Sequence, residues 1–193
     1  MAKPSHRDKI LTEGLKVVHE RGFAGASVRD IVQAAGVPQG SFTNHFVSKE
    51  MFGLEILDLY VSNSQPMLDD TLLNEALMPL ARLRSYFDWH HAFLDQGCLK
   101  NGCLYGNLAA EASEHSEIIR NRLVEIFASL QGLIADCLKQ AIAAGELRED
   151  FECDKTALFI VSSLQGAMLI GKAQRTTEPL QSLTYILFNT LFR

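Results

Sequence analysis

The sequence predicts an all-α protein in which a small three-helix head precedes a larger helical body. Apolar residues recur at helical spacing along most of the 193 residues. Serine or aspartate residues that can cap a helix precede several of these apolar stripes, and glycine or proline follows them. The composition is 47% hydrophobic and 21% charged, which is ordinary for a soluble globular chain able to bury a sizeable core.

The first helix is predicted over residues 6–21, after a loose tail of four residues. Ser5 is placed to cap this helix, and Gly22 to end it. Phe23 is expected to pack back into the head.

Residues 27–50 predict two short helices joined by a tight turn and followed by the start of another. Ser27 can cap the first of them, and Gly36 supplies the positive φ that stops it. The next helix is short and polar, and only Phe42 and Phe46 anchor it. Such a helix cannot stabilise itself, so its exposed face is expected to serve a partner, as in a helix-turn-helix whose second helix enters the DNA major groove.

Two runs in this region carry a specific resemblance. Residues 34–52 read A-A-G-V-P-Q-G-S-F-T-N-H-F-V-S-K-E-M-F, and residues 21–31 read R-G-F-A-G-A-S-V-R-D-I. Both resemble the signature of TetR-type transcriptional regulators. The resemblance covers about the first 60 residues, and the chain length and helical pattern fit the rest. One departure is Thr43, where the family commonly has a tyrosine that contacts phosphate.

The resemblance implies a DNA-binding regulator, more typically a repressor. The residue types indicate which side chains contact the DNA. Side chains that can donate hydrogen bonds to base edges are Gln39, Ser41, Asn44 and His45. Candidates for phosphate contacts are Ser27, Arg29, Thr43 and Lys49. Gly40 would let the backbone approach closely. The alternative is that Ser41 and Thr43 are merely solvated.

Charge is distributed unevenly along the chain. The net charge is −5, but residues 1–50 carry +2 and the remainder carries −7. A slightly basic head on an acidic body suits local phosphate contacts and excludes non-specific coating of DNA. Four cysteines do not make a disulfide scaffold. No signal peptide or apolar run of bilayer-spanning length is evident, so a cytoplasmic protein without membrane contact is expected.

The helix after the head begins at Ser48 and has too many apolar residues for one face, so it is expected to link head and body. Gln65-Pro66 should end or interrupt it. Helical residues 67–78 should break at Pro79, and a helix over 80–96 should end at Gly97. This last helix concentrates aromatic residues, which either line a ligand pocket or form core: Tyr86, Phe87, Trp89 and Phe93.

Cys103 is the best candidate for a reactive thiol. Asn101-Gly102 predicts a turn, which places Cys103 near the start of a helix running to about Ser113, where the helix dipole lowers a thiol pKa. The G-C-L run also resembles a branch of the family in which such a cysteine responds to electrophiles or oxidants. Lys172 could lower the pKa further. The alternatives are an inert, buried Cys103 or an uncharged ligand near Trp89 and Tyr105.

The C-terminal half predicts three long helices. The first runs from Ser116 to Ala144 and carries Cys137 on its apolar stripe, as a core residue. The last two, over 155–174 and 178–192, are apolar enough to leave surface that a monomer cannot cover. They are therefore expected to form a four-helix contact with a twin subunit. The resembled family dimerises in this way.

Enzymatic signatures are missing from the sequence. It contains no G-x-S-x-G, P-loop or G-x-G-x-x-G motif. His90-His91 with Cys98 and Cys103 is a poor metal set, because adjacent helical residues point about 100° apart. The resemblance, together with these observations, implies a cofactor-free homodimeric regulator with head 1–50 and body 51–193, whose partners are an inverted-repeat DNA operator and a small-molecule or electrophilic inducer. Alternatives are a helical carrier or interaction module without DNA binding, and a thiol enzyme using Cys103.

Overall fold

The computed structural model describes residues 5–95, 98–112 and 114–193, and in these ranges the protein is all α-helical, as predicted. Nine α-helices lie in the described ranges: α1 His6–Arg21, α2 Val28–Ala34, α3 Ser41–His45, α4 Lys49–Asp70, α5 Pro79–Asp95, α6 Leu104–Ala112, α7 Glu117–Ala143, α8 Cys153–Gln174 and α9 Glu178–Ile186. A 3-10 turn occupies Cys98–Lys100, and a π-helical turn occupies Leu187–Leu191. The expected tail over residues 1–4 and the expected helix ends at Gly97 and Ser113 lie outside the described residues.

Contacts divide the chain into two compact units. The first contains the three-helix head, the first part of α4, and residues 104–124. The second contains residues 64–103 and 125–193. The expected division of the chain at residue 50 stays a prediction.

Local capping sets the start of the first two helices. Ser5 and Asp8 at α1, and Ser27 and Asp30 at α2, each form a capping box. In a capping box the serine oxygen accepts a backbone N–H while the acid accepts the N–H of the cap residue. Both caps were predicted from the sequence and are confirmed.

The core of the first unit is built on three phenylalanine rings. Phe42, Phe46 and Phe52 pack with ring centroids 5.1–5.2 Å apart. Gly14 of α1 lies against Phe52, since a Cβ built on it would meet the ring at 2.5 Å. Phe42 and Phe46 are 3% exposed, so the short helix α3 is held from its buried side.

The path between α4 and α5 differs from the prediction. α4 continues through Pro66 to Asp70, and turns rather than a helix cover 71–78. Met67 and Leu68 pack against the core of the second unit. Burial of these side chains stabilises the last turn of α4 although proline removes a backbone hydrogen bond. Pro79 is the first residue of α5, a position where its missing N–H costs nothing.

The core of the second unit is formed by α5, α7, α8 and α9 with the turns between them. Cys137 is 2% exposed, and its thiol donates to the carbonyl of Pro79 at 3.1 Å, which confirms it as a core residue. α8 begins at Cys153, two residues before the predicted start. The predicted continuous last helix changes to π-helical geometry at Leu187.

Two helices, Glu117–Ala143 and Cys153–Gln174, are long and apolar enough by length and composition to cross a bilayer. The expectation of no such segment was therefore wrong by this measure. Core helices of soluble proteins pass the same test, so the finding is weak evidence for a membrane protein.

Candidate functional site

The exposed surface around α3 is polar. Gly36 at φ +64° ends α2, and Val37 is buried at the corner. Beyond it, α3 turns an exposed set of residues outward: Gln39, Gly40, Thr43, Asn44 and His45. They are five of the six positions in residues 39–45 that were expected to approach DNA, and Ser41 is the exception. Hydrogen-bonding groups on a short helix anchored from behind are the geometry of a major-groove reader.

Ser41 corrects the predicted set. Its side chain is 8% exposed and lies on the buried side of α3 with Phe42. Positions 41 and 43 both lie about 100° from Phe42 around a helix, so the residue order does not show which of them is buried, and the packing of the folded head decides it. Its hydroxyl is therefore not presented to base edges.

Lys49 packs against the turn after α1. Its ammonium donates to the carbonyl of Phe23 at 2.5 Å and lies 4.8 Å from the centre of the Phe23 ring. Partial burial lowers the pKa of Lys49, and the nearby carboxylate of Glu111 opposes that shift. The phosphate contact expected of Lys49 stays a prediction. Phe23 thus packs into the head, as predicted.

Ser27 and Arg29 at the start of α2 are exposed. The Ser27 hydroxyl donates to Asp30 at 2.5 Å and accepts the Asp30 N–H at 3.1 Å. The Ser27 hydroxyl and the Ser27 backbone N–H, which donates to the Asp30 carboxylate at 3.1 Å, lower the pKa of Asp30, and Arg21 at 2.9 Å adds a smaller effect. Ser27 is primarily a helix cap, while Arg29 keeps an exposed guanidinium beside it.

Sequence reasoning missed two features of the first unit. Val47, between α3 and α4, is 98% exposed, and no apolar stripe includes it. Glu111 on α6 accepts the backbone N–H of Ala24 at 3.1 Å. A Cβ added to Gly22 would lie 2.5 Å from the Glu111 carboxylate. The turn after α1 is therefore clamped by α6, which no local pattern could indicate, since 87 residues separate the two bonded groups.

The aromatic residues of the body fall into separate groups. Trp89 and Phe93 stack with centroids 5.1 Å apart and an interplanar angle of 11°. Trp89 is 38% exposed, whereas Tyr86 and Phe87 are buried. Tyr105 belongs to the first unit and contacts Tyr60 edge to face at 4.9 Å. Tyr86 and Phe87 are therefore core residues, whereas a ligand pocket at Trp89 and Phe93 stays a prediction.

Cys103 lies one residue before α6 and is half-buried. Gly102 has φ +67°, which confirms the predicted turn. The 3-10 turn that leads to Cys103 packs on α8, where Leu99 lies 3.7 Å from a Cβ built on Gly171. Lys172 follows in the last turn of α8. The segments that carry the thiol and the amine are therefore neighbours in the second unit.

Two adjacent histidines on α5 have opposite environments. His91 Nε2 lies 3.0 Å from the Thr184 hydroxyl. His90 is 8% exposed, and neither of its ring nitrogens has a hydrogen-bond partner. Burial lowers the pKa of His90 to about 3, and His91 acts in the same direction. Among the residues that the structure describes, no cluster of three or more metal-ligating side chains is present.

Known proteins resemble the chain over nearly its whole length. Residues 10–56 match the family described as bacterial regulatory proteins, tetR family, and residues 79–187 match the tetracyclin repressor-like C-terminal domain. The HTH-type transcriptional repressor DhaR of Mycobacterium sp. (strain GP1) is 37% identical over 99% of this chain and 94% of its own. The HTH-type transcriptional repressor NemR of Escherichia coli (strain K12) is 30% identical over 91% and 88%.

Solved structures share the fold. The regulatory protein TetR from Rhodobacter sphaeroides superposes with a TM-score of 0.85 at 32% identity, over 91% of this chain and 93% of that one. The reduced form of E. coli NemR superposes with a TM-score of 0.87 at 27% identity, over 95% of both chains.

Proposed function

The chain belongs to the TetR family of bacterial transcriptional regulators, and on that premise we propose that it is a repressor of an inverted-repeat operator, released by an inducer that acts on the body. Members of this family are soluble regulators rather than enzymes, and their repressors bind DNA operators and small molecules as dimers. The observation that carries the proposal is the exposed polar face of α3, held from behind by Phe42 and Phe46. The cytoplasm, where bacterial DNA lies, is the proposed compartment.

The exposed residues divide by chemistry into base readers and phosphate contacts. Gln39 and Asn44 can pair with adenine, and His45 adds a further hydrogen-bonding ring. Arg29 is the proposed principal phosphate contact, supported by Ser27 and Thr43. Thr43 Oγ1 donates to the Gly40 carbonyl at 3.1 Å, so its proposed phosphate contact requires the hydroxyl to turn its proton from that carbonyl to a phosphate oxygen. Gly40 allows close approach of the backbone.

The two C-terminal helices are the proposed dimer interface. Large apolar side chains on α8 and α9 are 48–67% exposed in the single chain: Leu158, Phe159, Leu169, Ile170, Tyr185 and Ile186. Monomeric soluble proteins rarely leave apolar surface of this extent uncovered. A twofold-symmetric dimer presents two copies of α3, and successive major grooves on one side of the DNA lie about 34–36 Å apart. An inverted-repeat operator follows from that symmetry.

Two inducer mechanisms follow from the body. A thiol-reactive compound could modify Cys103, whose segment neighbours that of Lys172 on α8. Alternatively, an uncharged ligand could bind at Trp89 and Phe93. Tyr105, two positions after Cys103, is the other aromatic residue expected to contact such a ligand. Either inducer releases DNA only if it binds one arrangement of the dimer better than the other. If a Cys103→Ser protein loses operator DNA to electrophiles as readily as wild type, the thiol mechanism is wrong.

The decisive experiment is selection of duplexes from a random DNA pool by the purified, reduced protein. Recovery of an inverted repeat is expected. Absence of enrichment at low salt, where phosphate contacts are strongest, would instead favour a helical carrier without DNA binding. The selected duplex then permits tests of single residues.

Arg29→Ala should weaken binding to all duplexes and reduce the slope of log K against log salt by about 1. Arg148→Ala is the matched control, since it removes the same charge from an exposed site outside α8 and α9. Asn44→Ala should instead relax the preference for one base pair. Equal effects of the Arg29 and Arg148 substitutions would exclude the proposed phosphate contact.

A further inference from the structure

His90 is an exception to a general rule of protein interiors. Buried polar groups are nearly always hydrogen-bonded. In the part of the chain that the structure describes, the two ring nitrogens of His90 are the only buried side-chain nitrogen or oxygen atoms without a hydrogen-bond partner. Phenylalanine or leucine would fill this position without leaving unpaired polar atoms. The presence of a histidine there therefore requires a reason other than packing.

The surroundings of His90 have the composition of a small-molecule site. The Tyr86 ring meets it edge to face at 4.6 Å, and the Trp89 ring does so at 5.2 Å. Trp89 in turn stacks on Phe93 and is 38% exposed. Ligand sites are typically apolar and aromatic with one or a few polar groups that fix orientation. Here the polar group is the imidazole, and the partly open aromatic wall is Trp89 with Phe93.

The neighbouring His91 shows how a histidine of this helix is satisfied. The Thr184 hydroxyl donates its proton to the Leu180 carbonyl at 2.8 Å, so His91 Nε2 donates to the hydroxyl oxygen at 3.0 Å. His90 has no hydrogen bond equivalent to the one between His91 and Thr184. Because burial holds its pKa at about 3, His90 is neutral at physiological pH and offers one N–H donor and one nitrogen acceptor.

We propose that His90 is the polar anchor of a ligand site in the body, and that the ligand is a small uncharged molecule with a hydroxyl or carbonyl group. The polar group hydrogen-bonds to the imidazole, and the apolar part packs against Trp89 and Phe93. A neutral imidazole among aromatic rings gives an anion no compensating charge, so carboxylates are disfavoured. The link from this site to DNA release rests on the proposed function, whereas binding itself does not.

The test uses the full-length protein and Trp89, the single tryptophan, as a fluorescence reporter. Three probes share a six-membered saturated ring: cyclohexanol, cyclohexanecarboxylate and methylcyclohexane. Cyclohexanol is expected to change Trp89 emission saturably. Its dissociation constant should be about tenfold lower than those of the other two probes, which is the factor that one hydrogen bond contributes. Equal binding of cyclohexanol and methylcyclohexane, or no saturable binding of cyclohexanol, would overturn the proposal.

His90→Phe separates a ligand anchor from a structural residue. It should raise the melting temperature, because it removes unpaired buried nitrogens, and it should weaken the binding of cyclohexanol about tenfold. His91→Phe is the matched control and should lower the melting temperature without weakening cyclohexanol. His90→Leu serves as a second variant if phenylalanine does not fit. A lower melting temperature in both His90 variants, or unchanged cyclohexanol affinity, would make His90 a structural residue.

The selected operator duplex distinguishes this proposal from the regulator function. Wild type, His90→Phe and His91→Phe should all bind the duplex with equal affinity in the absence of a probe. Failure of the random-pool selection to recover any duplex would refute the repressor while leaving the cyclohexanol result intact. Duplex binding without a hydroxyl preference would refute the anchor alone.

Discussion

Gly22→Ala tests whether α6 clamps the turn after α1. Gly22 has φ +79° and ψ 162°, a conformation essentially restricted to glycine. A Cβ there would also lie 2.5 Å from one oxygen of the Glu111 carboxylate and 2.6 Å from the other. The substitution therefore imposes backbone strain and expels Glu111 from its hydrogen bond with the Ala24 N–H at 3.1 Å.

The expected cost can be separated into these two parts. The backbone conformation costs about 1–3 kcal/mol for a residue with a Cβ. Loss of the hydrogen bond to Glu111 adds about 1 kcal/mol. Gly22→Ala should thus lower the free energy of unfolding by about 2–4 kcal/mol. Gly36→Ala is the matched control, because Gly36 has φ +64° but no heavy atom within 4 Å of the added Cβ, and should cost about 1–2 kcal/mol.

Urea unfolding of four proteins measures the clamp directly: wild type, Gly22→Ala, Glu111→Ala and the double variant. Removing the Glu111 carboxylate leaves the new methyl group nothing to expel, so Gly22→Ala should cost about 1 kcal/mol less in that background. Additive effects of the two substitutions would refute the clamp. So would a Gly22→Ala cost no larger than that of Gly36→Ala.

Four further outcomes follow from the structure. Ser27→Ala should lower the free energy of unfolding by about 1 kcal/mol through loss of the α2 cap, measured by urea titration. Below pH 6.5, His90 should make the free energy of unfolding fall toward pH 3 by up to about 1.4 kcal/mol per pH unit, because the unfolded chain binds a proton that the folded imidazole does not. Urea titrations at several pH values should show a shallower slope for His90→Phe than for wild type. Mass spectrometry after brief iodoacetamide treatment should find Cys103 modified ahead of Cys137, since burial raises the pKa of the Cys137 thiol to about 11. Tyr185→Glu should shift the dimer toward monomer in analytical ultracentrifugation, because Tyr185 is 66% exposed on the proposed interface and a buried carboxylate there would be unpaired.

The sequence by itself determined the features whose causes are local. The capping boxes at Ser5 and Ser27 use residues three positions apart. The positive φ at Gly36 and Gly102 needs only the missing Cβ. The polar α3 with Phe42 as its anchor is likewise visible in the order of residues. These short-range rules were sufficient to predict an all-α fold and a helix-turn-helix.

Only the tertiary structure decided features that join distant residues. Lys49 has its nearest acceptor in Phe23, 26 positions earlier, so its spacing to α3 could not show that it turns inward. α4 passes Pro66 because Met67 and Leu68 find a core to pack against. The nitrogens of His90 are unpaired because no described helix or turn around them offers a hydrogen-bond partner. Each outcome depends on contacts made only when separate helices pack together, and the local sequence does not contain that information.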